Sequence, residues 1–385
     1  MQDGDGVPPS ALRDVIRRAS EGLVEREVLA ELIVLSAVAG EHLLVVGPPG
    51  TGKSEVVRRV ARALGGRYFE YLLGRFTEPS ELFGGVDLRR LREGVVETET
   101  AGMLPEAEVA FLDEVFLGST AILNTLLALL NERTFRRGRT AIDVPLRVCV
   151  GASNQLPDDD VLAAFADRFL SRVFVDPVPD HALEAMLAGG HALGAGHAPS
   201  PLGLAALDEA TRRARTVSLD GVRGALATAI RTLRGAGIQL SDRRAVKLQR
   251  LVAASAALDG RAEARARDLW PIVYAVPTRE EQAEARVALR SLLEAAANDV
   301  LPVAAEDASA GPAARAARLV RVGEALLAES PPSDDADARL AWRLRLEGVL
   351  RELDAGFAAD ARPPALAAIE PRLQAAVASV AIARG

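Results

Sequence analysis

HLLVVGPPGTGKSEVVRRVARAL, residues 42–64, is the stretch that decides the fold. A short apolar run (42–46) leads into a glycine-rich turn (47–54), and helical spacing follows over 54–64. GPPGTGKS fits G-x-x-x-x-G-K-[ST], with Gly47, Gly52, Lys53 and Ser54 at the fixed places. Glycines let successive backbone N–H groups turn inward onto phosphate, at the positive end of the following helix. Lys53 supplies a compact charge to the β/γ-phosphates, and Ser54 offers a hydroxyl to Mg²⁺. Of 46 basic residues only Lys53 and Lys247 are lysines, so a lysine here fits a role that a planar guanidinium would fill badly. The nucleotide-binding set is therefore Gly47, Pro48, Pro49, Gly50, Thr51, Gly52, Lys53, Ser54 and Glu55, with ATP and Mg²⁺ as the expected cofactors.

Outward from this loop, short apolar runs recur at 68–73, 109–112, 146–150 and 172–175, with helical patterns such as 119–131 between them and 24–39 ahead. That alternation predicts an α/β fold, a parallel sheet covered by helices. VAFLDEV (109–115) is an apolar strand ending in two carboxylates. Asp113 is placed to hold Mg²⁺ through its water shell, and Glu114 to orient and deprotonate an attacking water. Asn154, after the strand at 146–153, is placed to hold a water and a phosphate oxygen at the carboxyl end of the sheet. Two polar inserts, 84–100 and 133–145, read as hairpins turning at Glu93-Gly94 and Arg137-Gly138. Beyond Pro177 and Pro179 strand signals nearly vanish. Helices are expected over 181–277, with N-caps at Ser218 or Asp220 and at Ser241, and linker-like stretches at 304–312 and 329–337.

Composition bounds what this chain does. Its 385 residues allow two or three domains. A formal charge of −7 argues against a general nucleic-acid coat, and nucleic acid is an unlikely partner. A single cysteine, Cys149, excludes an intramolecular disulfide framework and is expected in the core. The apolar run 32–39 is far short of a membrane span, and MQDGDGVPPS carries acid where a signal peptide carries base. The expected location is cytoplasmic, with no transmembrane segment. His42, His181, His191 and His197 show no metal spacing, and Trp270 reads as helix packing.

GPPGTGKS, VAFLDEV, GASNQLP (151–157), ADRFLSR (166–172) and SDRR (241–244) follow the order of AAA+ ATPases. The chain resembles their MoxR branch, and within it the RavA-like subgroup, through EPSELFGGVDL (78–88), AGMLPEAEVAFLDEVF (101–116), AILNTLLALLNERTFRRG (121–138), GASNQLPDDD (151–160) and SDRRAVKLQRLVAASAALDGR (241–261). The resemblance covers about residues 20–290. It implies an AAA+ α/β nucleotide-binding domain (1–180), an all-α lid (181–277) and a C-terminal helical region (278–385). It also implies a ring, a homohexamer, with ATP between neighbours. Arg168 then matches the arginine finger, with Arg172 as the alternative, and Arg243 matches the lid arginine, with Arg244 as the alternative. The two inserts match pore-facing elements that couple ATP state to a client. The RavA-like subgroup carries a β-containing module among its C-terminal helices, whereas the stretch after 300 reads as helical here.

The resemblance implies an ATP hydrolase that remodels or assembles client proteins, with a von Willebrand A domain protein as partner. Its alternatives are the motor of a metal chelatase, a DNA or RNA motor, and a nucleotide-dependent ring with negligible turnover. SDRR favours the remodeller over the chelatase motor, net charge disfavours the nucleic-acid motor, and the intact Glu114 disfavours the silent ring.

Overall fold

The sheet is built from five strands, all parallel. In chain order, α1 (Ser10–Ser20) and α2 (Glu27–Ala39) precede β1 (Leu43–Val46). There follow α3 (Lys53–Leu64), β2 (Tyr68–Leu72), α4 (Pro79–Phe83), α5 (Leu88–Arg92), β3 (Val109–Asp113) and α6 (Thr120–Glu132). A two-stranded hairpin, β4 (Thr134–Arg137) and β5 (Thr140–Asp143), leads to β6 (Val148–Ser153), α7 (Asp160–Ala166) and β7 (Ser171–Phe174). The order across the main sheet is β2-β3-β6-β1-β7. All of β1 and all of β6 are buried, as strands covered on both faces must be, which is why they read as unbroken apolar runs. Register sets Val46 beside Ser153 and Leu112 beside Gly151, so the carboxyl ends of β3, β6 and β1 end together along one edge. In such sheets ligands bind at that edge.

The computed structural model describes residues 10–192, 200, 202–309, 312–329, 336–357 and 362–379. These fall into two compact units, one within 10–21, 26–176 and 200–308, the other within 22–25, 177–192 and 309–379. After β7 come α8 (Leu183–Ala192), α9 (Gly203–Thr216), α10 (Arg223–Gly235), α11 (Asp242–Leu258), α12 (Arg279–Ala288), α13 (Arg290–Leu293) and α14 (Pro302–Ser309). In the first unit α2 packs on α9 and α11, and α1 on α3. The core under the sheet is aliphatic with a few aromatics, among them Leu44, Leu112, Leu126, Phe135, Cys149 and Phe169. Cys149 is sealed there, and burial pushes its thiol up to about 12.

The second unit holds α8 with α15 (Pro312–Glu329), α16 (Ala336–Gly356) and α17 (Pro364–Ser379). Leu319, Leu326, Leu346, Val349, Leu353, Ile369 and Leu373 form its core, and Trp342 donates its indole N–H to the Leu326 carbonyl at 2.6 Å. Gly189 belongs to this unit and lies so close to Gly22 that a Cβ would sit 2.2 Å from the Gly22 carbonyl oxygen. Among the described residues no strand follows β7, and no helix is long and apolar enough to cross a membrane.

Three expectations are corrected. The insert 84–100 is not a plain hairpin. Its legs meet at one bridge, Val86 with Thr98, and α5 sits between them, with Asp87 accepting the N–H groups of Arg89 and Arg90. Neither Ser218 nor Asp220 caps α10, whose N-cap is Val222. Ser218 is bridged to Glu263, and Asp220 binds Arg223. Residues 304–309 are not linker but most of α14, with Ala304, Ala305 and Ala308 buried. The described part of 329–337 ends α15 and begins α16, and 330–335 lie outside the described residues.

Candidate functional site

The glycine-rich turn leaves β1 and enters α3, and its glycines are there for two different reasons. Gly50 and Gly52 both adopt φ of 77°, and a Cβ on either would meet nothing within 4 Å. Their backbone conformation excludes other residues at low cost, and the space in front of them is open. Gly47 is instead pressed against the chain beyond β7, where a Cβ would lie 2.2 Å from the Val175 carbonyl oxygen. The first N–H of this helix to find a backbone partner is that of Val56, which donates to Gly52 at 3.1 Å. The N–H groups of Lys53, Ser54 and Glu55 therefore point out of the helix start, at its positive end. An anion of phosphate type fits this donor set.

Lys53 is buried at 7% exposure and donates to the carbonyls of Gly47 (2.7 Å) and Pro48 (2.9 Å). Burial pulls its pKa down, opposed by the charges of Asp113 and Glu114. Thr51 donates its hydroxyl to Pro48 (2.9 Å), tightening the turn. Ser54 keeps its hydroxyl without a partner among the described residues. Glu55 turns its carboxylate away onto Arg58 (2.9 Å) and Arg59 (2.8 Å), so its backbone N–H is what it offers the site.

Asp113 and Glu114 follow at the end of β3, one strand from β6. Asp113 accepts the Glu114 N–H at 3.0 Å. Glu114 has a left-handed backbone, φ 49° and ψ 45°, which few residues with a Cβ adopt. Asn154, at the end of β6, donates its side-chain amide to Glu114 Oε1 at 2.6 Å. Burial, with the Asp113 charge, holds the Glu114 carboxyl above the usual glutamate range. Ser54 and Asp113 make an all-oxygen donor pair, the type a hard divalent cation takes. Glycine turn, lysine, carboxylate pair and amide thus meet at one sheet edge.

The arginines divide sharply. Arg172 is buried; it donates to the Pro277 carbonyl at 2.9 Å, and burial and the nearby Arg244 charge pull its pKa to about 10. Arg168 is half-buried, and its guanidinium has no partner among the described residues; its Nε is enclosed. Arg244 is 1% exposed and binds the Phe169, Leu170 and Ala275 carbonyls and Asp167. Arg243 is exposed, and its guanidinium has no partner among the described residues. In each pair one arginine, Arg168 or Arg243, keeps a guanidinium without a partner among the described residues.

Sequence reasoning missed several residues that hold this edge. Arg26, 5% exposed, donates to the carbonyls of Thr51 (2.7 Å) and Asp176 (2.8 Å) and so ties the phosphate turn to the chain beyond β7. Arg279 forms a double contact with Asp176 (2.7 and 2.9 Å) over the Phe174 ring. At the opposite, amino end of β1, Glu41, 1% exposed, takes Lys247 (2.7 Å) and Arg250 (2.8 Å) of α11. None lies in a recognisable motif. A position just before a helix, or after a glycine stop, was the only signal. His42 is buried between the Cys149 N–H and the Leu130 carbonyl, Trp270 packs in the core, and His197 lies outside the described residues.

Comparison with known proteins agrees with this geometry. Residues 10–207 match the family described as the MoxR domain in the MoxR-vWA-beta-propeller ternary systems, and residues 222–287 match an AAA lid domain. The uncharacterized proteins MJ0079 and MJ0812 of Methanocaldococcus jannaschii are 36% and 35% identical over 248 residues, 64% of this chain. The match spans 64% and 66% of their lengths. Protein MoxR of Paracoccus denitrificans is 30% identical over 38% of this chain and 44% of its own. In fold, the chain is similar to a crystal structure of an ATPase candidate from Cytophaga hutchinsonii, with TM-score 0.59, 16% identity, and 75% and 95% of the two chains covered. With the parallel sheet, the lid and the phosphate turn in place, the chain belongs to the MoxR family of AAA+ ATPases.

Proposed function

We propose that this chain hydrolyses ATP to ADP and phosphate and couples the reaction to remodelling or assembly of client proteins. The observation that carries the reading is the Glu114 carboxylate, held at 2.6 Å by Asn154, beside Asp113 and level with the phosphate turn. Lys53 and the first N–H groups of α3 bind the phosphates and fix their line. Asn154 aims the Glu114 carboxylate, which takes the proton of the attacking water as general base. Ser54 and Asp113 would hold a magnesium ion, which would supply charge neutralisation at the phosphate oxygens. Arg168 and Arg243, whose guanidinium groups have no partner among the described residues, stabilise the charge that develops on the transferred phosphoryl group.

Arg168 serves a neighbouring subunit in this reading, so the site is completed by a ring, a homohexamer, and the helices within 181–277 close as a lid. The inserts 84–100 and 133–145 face the client. A von Willebrand A domain protein is the proposed partner, supported by the ternary systems for which the matched family is described. Placement in the RavA-like subgroup rests on the sequence runs 78–88, 101–116, 121–138, 151–160 and 241–261. The test is ATPase rate per subunit against protein concentration, with sizing of the same samples with and without ATP. A rise in specific activity together with a shift to ring mass supports the reading. Full specific activity in a monomer refutes it.

A further inference from the structure

The two inserts are separate in sequence but form one element. Arg139 donates its N–H to the Val96 carbonyl at 3.0 Å, Thr98 its N–H to the Thr140 hydroxyl at 2.8 Å, and Arg137 its guanidinium to the Gly84 carbonyl at 3.0 Å. Gly138 (φ 60°) allows this approach, since a Cβ there would sit 2.8 Å from the Val96 carbonyl oxygen. Beneath the joint Phe83 and Phe135 stack with centroids 5.7 Å apart, both fully buried. The joint element is therefore anchored, and its outer side chains share one surface.

That surface has an unbalanced charge. Across 84–100 and 133–145 seven arginines stand against five acids; Glu93 and Glu97 both bind Arg90 at 3.0 Å, while Asp87 caps α5 and Glu99 accepts the Ala101 N–H, each keeping its charge. Asp143 lies at the hairpin base, opposite Thr134. Arg89, Arg92, Arg136 and Arg139 are exposed, and among the described residues none of their guanidinium groups meets a carboxylate. Between them stand Leu88 (68% exposed), Leu91 (46%) and Val96 (49%). A basic, apolar face on a chain of net charge −7 is complementary to a partner of opposite pattern.

We propose that the joined inserts bind an acidic polypeptide segment carrying interspersed aliphatic side chains. This rests on the reading of the inserts as client-facing and adds the chemistry of the client. A nucleic-acid strand fits less well. Single strands are held by aromatic stacking, and the aromatics here are buried in the anchor, while phosphates have no use for exposed leucines.

The experiment measures fluorescence anisotropy with the full chain and four labelled probes: a peptide of repeated Glu-Glu-Leu, one of Glu alone, one of Lys-Lys-Leu, and a mixed-sequence single-stranded oligonucleotide. The Glu-Glu-Leu peptide is expected to bind best, more tightly at low salt. Arg92→Glu with Arg139→Glu should weaken it by about tenfold or more. The same variant should gain the Lys-Lys-Leu peptide, which an unfolded chain would not do selectively, and Arg92→Lys with Arg139→Lys should bind as the unaltered chain does. Stronger binding of the oligonucleotide, no preference for Glu-Glu-Leu over Glu, undiminished binding by the charge-reversed variant, or no peptide binding overturns the proposal. The motor reading is judged separately, by ATPase activity of the unaltered chain without peptide. Activity without peptide binding overturns the surface alone, and peptide binding without activity overturns the motor alone.

Discussion

Arg243 and Arg244 are neighbours in sequence, and replacing each with methionine should separate stability from turnover. Arg244 donates Nε and Nη2 to the Ala275 carbonyl (2.9 and 2.7 Å), Nη2 to Leu170 (2.6 Å), and Nη1 to Phe169 (3.1 Å) and Asp167 (3.2 Å). Methionine fills much of the same space but leaves three carbonyls and one carboxylate without their donor. Removing one partner of a buried charged network costs about 3–5 kcal/mol. At about 2–4 °C per kcal/mol for a unit of this size, the thermal midpoint should fall by about 6–20 °C. Arg243 is exposed and unbonded among the described residues, so Arg243→Met should shift stability by no more than about 0.5 kcal/mol. Its cost should fall on ATP turnover. Thermal unfolding by circular dichroism, paired with a phosphate-release assay, reads both. Equal midpoint shifts for the two variants, or an Arg244→Met midpoint within about 2 °C of the unaltered chain, would refute the division drawn between them.

Glu114→Gln should bind ATP yet turn it over at least about 100-fold more slowly, the low end for a general base. Because burial and Asp113 raise the Glu114 pKa, and the base acts only when ionised, turnover should fall with acid from a pH above the ordinary glutamate range. A pH–rate profile with its acid limb at the ordinary value would count against the assignment. Arg168→Ala should keep nucleotide binding and lose turnover, while Lys53→Ala should lose binding, and mixing the two should restore activity if the finger acts between subunits. Glu31, 2% exposed, is pushed up to about 8 by burial, against the N–H groups of Ala304 and Val303 that pull the other way. Folded chains thus hold a proton there that unfolded chains release. Stability from this group is present below the ordinary carboxylate value and is lost as pH rises to about 8. Glu31→Gln should flatten that slope in midpoints measured from mildly acid to mildly alkaline pH, and an unchanged slope would exclude the account.

The phosphate turn, β3 and β6 were legible because strands buried on both faces leave unbroken apolar runs, and the turn's glycines carry a fixed spacing. What was not legible depended on distant partners. AAEDASAGP reads as linker by composition, yet residues 304–309 are helical, with Ala304 and Val303 meeting a carboxylate 273 and 272 residues away. Ser218 looks like an N-cap until the bridge to Glu263 claims its backbone. No local pattern separates Arg168 from Arg172 or Arg243 from Arg244, because burial decides each pair and burial is a property of the packed chain. The α5 turn did leave a trace, an aspartate ahead of LRRLR, but five residues, three of them arginine, carry too little apolar periodicity to outweigh a hairpin.

Glu114 also bears on how such a chain could be lost or kept by selection. Its left-handed backbone costs a residue with a Cβ roughly 1–2 kcal/mol, a penalty that glycine escapes and asparagine partly escapes. A screen that rewards heat resistance alone would drift toward Glu114→Gly or Glu114→Asn and deliver a sturdier chain that lacks the carboxylate proposed as the base. A glutamate at this position in a descendant sequence would mark continued demand for turnover, since folding by itself would favour its replacement.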